Sequence, residues 1–196
     1  MARAQPRGKL HLEALSAQNF EAFARLLGGD EFGGCFCAVW THHGSDWGKR
    51  CGDAAQPNRA ATRADLDAGR RPGYLVFHDD EIVAWTGAGP KSEFRALDTR
   101  LGARVSTAGA NAWCIGCLAI AEGWRGTRLP DRIVELVLEV ARSAGASELE
   151  AYPTDPWDEP RSYRGALSLY QRHGFAEQAR ESDGTADIVL MSRALP

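Results

Sequence analysis

Residues 112–146 read AWCIGCLAIAEGWRGTRLPDRIVELVLEVARSAGA. Ala112 to Ile120 is an apolar run short enough for a strand. Asp131 to Ala144 repeats apolar residues at helical spacing (Ile133, Leu136, Val137, Val140, Ala141, Ala144), with Gly145 as a stop. Between them lies a turn with two basic residues, Arg125 and Arg128. The chain therefore predicts strand, basic turn and helix start in immediate succession. Backbone N–H groups at a helix N-terminus lack intrahelical partners and the macrodipole is positive there, so this junction is a natural anion site.

Working outward, the N-terminal side predicts a strand over Leu10 to Leu15 and a helix from Ser16, as N-cap, to Leu27. A loop rich in Gly, Cys, His and Trp follows over residues 30 to 57, then a helix over Arg59 to Ala68. Strands over Tyr74 to Phe77 and Ile82 to Thr86 are joined by Asp79-Asp80, and a helix is expected near Ser92 to Leu101. On the C-terminal side come a strand over Glu148 to Tyr152, a helix over Gly165 to His173, and closing strands over Phe175 to Ala179 and Ala186 to Ser192. This order of elements predicts an α/β fold around one sheet.

Two segments carry a resemblance. Leu118-Ala119-Ile120 followed by Arg125-Gly126-Thr127-Arg128-Leu129-Pro130 resembles the strand and pyrophosphate turn of the GNAT superfamily of N-acyltransferases. Ala166, Tyr170, Gly174 and Phe175 match the family's late helix, Ala-x-x-x-Tyr-x-x-x-Gly-Phe. Cys35-x-Cys37-x-x-Trp40, Asn58-Arg59, Gly73-Tyr74-Leu75 and Glu150-x-Tyr152-Pro153-x-Asp155 extend the likeness to an uncharacterised subgroup over the full length. Arg128 stands where the family turn has glycine, and Pro130 where it has glycine or alanine. Arg128 either contacts phosphate bidentately or fills the groove.

The resemblance implies a GNAT fold, with a central mixed, mostly antiparallel sheet flanked by helices, over a single domain at 9–196 behind a flexible lead-in at 1–8. It also implies acetyl-CoA as co-substrate and a small-molecule amine as acceptor. Leu118, Ile120, Arg125, Gly126, Thr127, Arg128 and Leu129 would hold the coenzyme. The strand at 117–120 would carry a bulge and splay from 149–155. Tyr170 would protonate the leaving thiolate. The amine proton would go to Glu150, with Asp155 and Glu122 as alternatives. The rival expectation is a GNAT-fold protein without catalysis that senses an acyl-CoA or another ligand.

Composition bounds these readings. The chain has 196 residues, 44% hydrophobic and 25% charged, and a net charge of −3, which are ordinary globular values that give no support to a nucleic-acid or membrane-surface partner. No apolar run approaches the ~20 residues of a membrane span, and the N-terminus lacks the apolar core of a secretory signal. Five cysteines, an odd number, favour free thiols and a cytoplasmic location. Cys35, Cys37, His42, His43 and Cys51 have the chemistry of zinc ligands, but Cys-x-Cys is tighter than a zinc knuckle and no second pair follows, so a packed loop and no metal is expected. Trp40, His42 and Trp47 would wall the acceptor side. A homodimer is compatible with the chain.

Overall fold

The computed structural model describes residues 8–102, 109, 111–157, 163–182 and 187–196. Most of the lead-in, and Ala186 at the start of the last expected strand, lie outside them. The described elements are β1 (Leu10–Ala14), α1 (Phe20–Gly28), α2 (Ala38–Thr41), α3 (Gln56–Asp67), β2 (Tyr74–His78), β3 (Glu81–Pro90), α4 (Leu97–Leu101), β4 (Ala112–Ile120), α5 (Leu129–Ser143), β5 (Glu148–Ala151), β6 (Thr154–Asp155), α6 (Leu167–Arg172), β7 (Ala176–Ser182) and β8 (Asp187–Ala194). Short 3₁₀ turns lie between several of them.

Among the described residues one sheet runs β1-β2-β3-β4-β5-β8-β6, with β7 also paired to β8. Every pairing is antiparallel except β4 with β5. That parallel pair needs a crossover, which α5 supplies. The fold is thus the mixed, mostly antiparallel sheet flanked by helices that the resemblance implied.

Side chains alternate across the sheet, so its two faces bury two cores. On one face Val76, Ala84, Ile115 and Leu149 pack under Ile133, Val134, Val137 and Leu138 of α5 and Leu169 and Tyr170 of α6. On the other, Leu75, Trp85 and Cys114 meet Phe20, Phe23 and Leu27 of α1, Trp40 of α2 and Leu66 of α3.

Three local expectations are corrected. The first helix starts at Phe20 rather than just after Ser16. The Asn19 side chain accepts from the Ser16 N–H at 2.8 Å and donates to the Ala14 carbonyl at 3.1 Å, closing a turn before the helix. The helix expected over Ser92 to Leu101 is split into a 3₁₀ turn at Lys91–Glu93 and α4, because the Ala96 N–H is drawn to the Trp40 carbonyl at 2.8 Å. Finally, β5 stops at Ala151, and after a break Thr154 and Asp155 rejoin the same neighbour, β8, opposite Ile188 and Asp187.

Candidate active site

β4 and β5 pair only from Ala112↔Glu148 to Ile115↔Ala151. Beyond Ile115 the strands part. The register of β4 against β3 slips here: Gly87 pairs with Cys117 and Ala88 with Ile115, so Gly116 is an unpaired extra residue. A bulge of this kind bends its strand and increases its twist. Gly116 is required by packing as well, since a Cβ there would lie 2.9 Å from Nε1 of Trp40. Trp40 is buried and packs against Tyr152, with ring centroids 6.3 Å apart.

The wedge opens into a groove of about 320 Å³. Leu118, Ile120 and Leu169 give it an apolar side. Gly126, Thr127 and Pro130 bring it to the start of α5, and Trp157 and Tyr163 flank it. Of the backbone groups of β4 that face the wedge, the Leu118 N–H donates to the Tyr163 carbonyl at 2.6 Å, and the Ile120 carbonyl accepts from Arg125 Nε at 3.1 Å. By alternation, the Leu118 carbonyl and Ile120 N–H point the same way, away from β3.

At the polar end, Gly126 adopts φ +69°, a conformation favouring glycine, and turns the chain into the helix. Thr127 Oγ1 donates to the Trp124 carbonyl at 2.7 Å and accepts from the Leu129 N–H at 3.1 Å. One early N–H of α5 is therefore occupied and another is missing at Pro130. Two arginines line this end. Arg125 is ion-paired with Glu31 at 2.5 Å and lies over the Phe32 ring. Arg172 holds Asp131 at 3.0 Å, and His173 Nε2 lies 3.2 Å from the same carboxylate. Arg128 is exposed at the N-cap of α5, outside the residues that line the groove. The Leu129 side chain is wholly buried in the core, so only its backbone faces this turn.

Tyr170 is wholly buried. Its hydroxyl donates to the Arg164 carbonyl at 2.7 Å, and burial raises its pKa, which keeps the proton on the phenol. It sits directly behind the groove wall. A Cβ on Gly165 would lie 3.1 Å from Tyr170 Oη and 3.2 Å from Leu118 Cδ1, so the phenol, the β4 side chain and the wall converge at one point.

Glu150 lies elsewhere, on the closed part of the β4–β5 pair, with no exposed surface. Lys91 Nζ is 3.0 Å from one of its oxygens and the Tyr152 hydroxyl donates to the other at 2.6 Å. Desolvation, with negative neighbours adding to it, pushes the Tyr152 phenol and the Cys114 thiol up. Of the alternatives, Asp155 is paired with Arg180 at 2.7 Å, and Glu122 is exposed in the turn after β4.

Thus Leu118, Ile120, Arg125, Gly126 and Thr127 gather on one groove, Tyr170 backs onto it, and Glu150 stands apart. The acceptor-side aromatics divide: Trp40 is core, whereas Trp47 lies partly exposed under Arg100. Among the described residues no three His, Cys, Asp or Glu side chains converge in a metal-binding group, and no helix is long and apolar enough to cross a membrane. The partners Glu31, Lys91, Gly165 and Arg172 carried no sequence signal for these roles. Only Tyr163 carried a signal, its place seven residues before Tyr170, where the GNAT late motif usually has asparagine.

Solved structures share this architecture. The aminoglycoside acetyltransferase AAC(6')-Ib in complex with coenzyme A matches with a TM-score of 0.61 at 13% identity, covering 95% of this chain and 95% of that one. A Bacillus subtilis acetyltransferase in complex with CoA matches at 0.52 and 16%, covering 97% and 100%. A Streptococcus pneumoniae acetyltransferase of the GNAT family matches at 0.56 and 14%, covering 96% and 100%. At these identities the likeness is one of fold. No curated protein sequence matches. The model of the acetyltransferase (GNAT) family matches residues 36–175, the greater part of the chain, including the bulged strand, the groove and the late helix, and the chain belongs to that family of acyl-CoA-dependent acyltransferases.

Proposed function

We propose that this protein moves an acetyl group from acetyl-CoA to an amine of a small molecule. The observation that carries the reading is the groove that runs from the β4–β5 wedge to the start of α5. It is apolar at one end, cationic at the other, and has a protonated phenol behind its wall. An elongated ligand with an acyl-bearing apolar arm and a diphosphate suits that polarity. Two of the structural relatives are described with coenzyme A bound.

In this proposal Leu118 and Ile120 line the pantetheine arm, and Gly126, Thr127 and the backbone of Arg128 and Leu129 face the diphosphate. Arg125 and Arg172 exchange their carboxylate partners for phosphate, a stronger bidentate match, and the exposed Arg128 side chain joins them. The thioester carbonyl takes the Leu118 N–H in place of the Tyr163 carbonyl, which polarises it for attack. The amine attacks that carbon, the C–S bond breaks, and Tyr170 gives its proton to the departing thiolate. Glu150 is the proposed final proton acceptor. In this proposal the proton reaches Glu150 through Tyr152, whose hydroxyl is hydrogen-bonded to that carboxylate.

The test is turnover. Acetyl-CoA is mixed with a panel of polyamines, amino acids and aminoglycosides, and free CoA and acetylated amine are measured together by mass spectrometry. Stoichiometric formation of both supports the reading. Coenzyme binding with no product for any amine would favour a sensor, and absence of binding would remove the coenzyme from the account.

A further inference from the structure

The cysteine-rich loop holds chemistry that acyl transfer does not use. Residues 33–35 and 50–52 are pressed together. The Gly52 N–H donates to the Gly33 carbonyl at 2.7 Å, and a Cβ on Gly34 would come 2.4 Å from that of Ala55. Asn58, wholly buried, clamps the two segments. Its Nδ2 reaches the Arg50 carbonyl at 2.6 Å, the Gly34 carbonyl at 3.5 Å and Cys51 Sγ at 3.8 Å. Its Oδ1 has no partner. Cys51 Sγ lies at this clamp, 3.5 Å from the Trp47 carbonyl, and the Cys35 and Cys51 thiols sit near enough to move each other's pKa in opposite directions. Both residues are partly accessible.

A second thiol pair serves as an internal contrast. Cys37 is buried, takes the Trp85 indole N–H at 2.9 Å, and has its pKa raised by the neighbouring Cys117 and by burial. Cys114 is buried in the sheet beside Glu150.

We propose that Cys51 and Cys35 form a peroxide-sensitive dithiol, with Cys51 the attacking sulfur and Cys35 the resolving one. The Cys51 thiolate attacks one oxygen of a hydroperoxide. The O–O bond breaks, Cys51 becomes a sulfenic acid, and the other oxygen leaves as water or alcohol after taking a proton. The Cys35 sulfur then attacks the Cys51 sulfur and expels the hydroxyl, which departs as water with the Cys35 proton. Two thiols and one peroxide thus give one disulfide, with the peroxide reduced by two electrons. The Asn58 amide aimed at Cys51 suits it to the first role. The neighbouring Cys35 thiol lowers the Cys51 pKa to about 7, while Cys51 and, after it, burial raise the Cys35 pKa and keep that thiol protonated until it resolves. The bond would span a loop that carries Trp40, whose indole seats the bulge of β4, so the oxidised state reaches the wedge through packing. The proposal is independent of the acyl-transfer reading.

The experiment treats the reduced full-length protein with a small excess of hydrogen peroxide. Remaining thiols are alkylated and the digest is mapped by mass spectrometry. The expected result is loss of alkylation at Cys35 and Cys51 together, at least tenfold faster than at Cys114, and a linked peptide pair about 2 Da lighter than the two thiols. Cys35→Ser should accumulate a sulfenic acid at Cys51 that dimedone traps, and Cys51→Ser should leave Cys35 reduced. Retention of both thiols while Cys117 or Cys37 oxidises, or a disulfide joining any other pair, would overturn the proposal. The unmutated protein decides between these outcomes without either variant having to fold.

Discussion

Single side chains in this protein are held by partners that lie far off in sequence, and their roles follow from those partners. Glu150 is the clearest case. A carboxylate with no exposed surface is tolerable when it is paired, and Lys91 and Tyr152 each hold one of its oxygens. Lys91→Met should strand that charge and cost about 3–5 kcal/mol in chemical denaturation, and adding Glu150→Gln should recover much of the loss. No recovery in the double variant would show that the two groups act separately. Tyr170→Phe removes a hydrogen bond to the Arg164 carbonyl, worth about 1 kcal/mol, and removes the proposed acid. Turnover should fall roughly ten- to a thousandfold with acetyl-CoA affinity nearly unchanged. Full turnover would demote Tyr170 to a core residue. Cys51 makes a pH prediction. Its folded pKa, about 7, lies below the ordinary thiol value of 9.0, so thiolate forms on passing upward through pH 7. Alkylation of Cys51 by iodoacetamide should rise with pH and reach half its plateau near pH 7. A midpoint near 9 in the folded protein would remove that activation.

At the scale of elements, strand, turn and helix were legible where the pattern is local. The apolar run and the 3.6-residue period give β4 and α5 nearly as observed, and the same junction brings Leu118, Ile120, Arg125, Gly126 and Thr127 to one groove because neighbours in sequence are neighbours there. What was not legible depends on distant pairing. Thr154 resumes pairing with β8, opposite Ile188, only after a break beyond Ala151, and Ala96 leaves its expected helix for Trp40. No local pattern announces that Glu31 holds Arg125 or that Tyr163 caps the Leu118 N–H. Leu129 belongs by period to the core stripe with Ile133, Val137 and Ala141, which is why only its backbone faces the turn. The start of α5 also yields a test. Pro130 removes an N–H from the first helical turn, where it would point toward an anion. Pro130→Ala restores that donor and should tighten CoA binding severalfold by calorimetry, whereas Arg125→Ala should weaken it about tenfold. If Pro130→Ala is neutral and Arg125→Ala is too, the diphosphate does not sit at this helix end.

The whole molecule is a sheet that is continuous at one end of β4 and parted at the other. The parted end is bridged by the Tyr163 carbonyl, the α6 wall and the turn into α5, which come from two stretches of chain far apart in sequence. A ligand that lies in the wedge touches all three at once, and none of that surface exists in the unfolded chain. Binding must therefore appear as stability. At a concentration one hundred times its Kd, a ligand specific for the native state adds about 2.7 kcal/mol. For a domain of this size each kcal/mol raises Tm by about 2–4 °C, so a rise of roughly 5–10 °C is expected with acetyl-CoA. Gly165→Ala supplies the control. It places a Cβ within 3.2 Å of Leu118, Leu169 and the Tyr170 hydroxyl at φ +78°, so the unliganded protein should melt lower by about 1 kcal/mol or more. Because that methyl group enters the groove wall, the rise with acetyl-CoA should shrink as well, and this second loss cannot come from lowered stability alone. An unchanged Tm for the unsubstituted protein at about 1 mM acetyl-CoA, the upper end of ordinary KM values, would show that the wedge is not a coenzyme site. A full rise retained in Gly165→Ala would place the coenzyme away from the point where Leu118, Gly165 and Tyr170 meet.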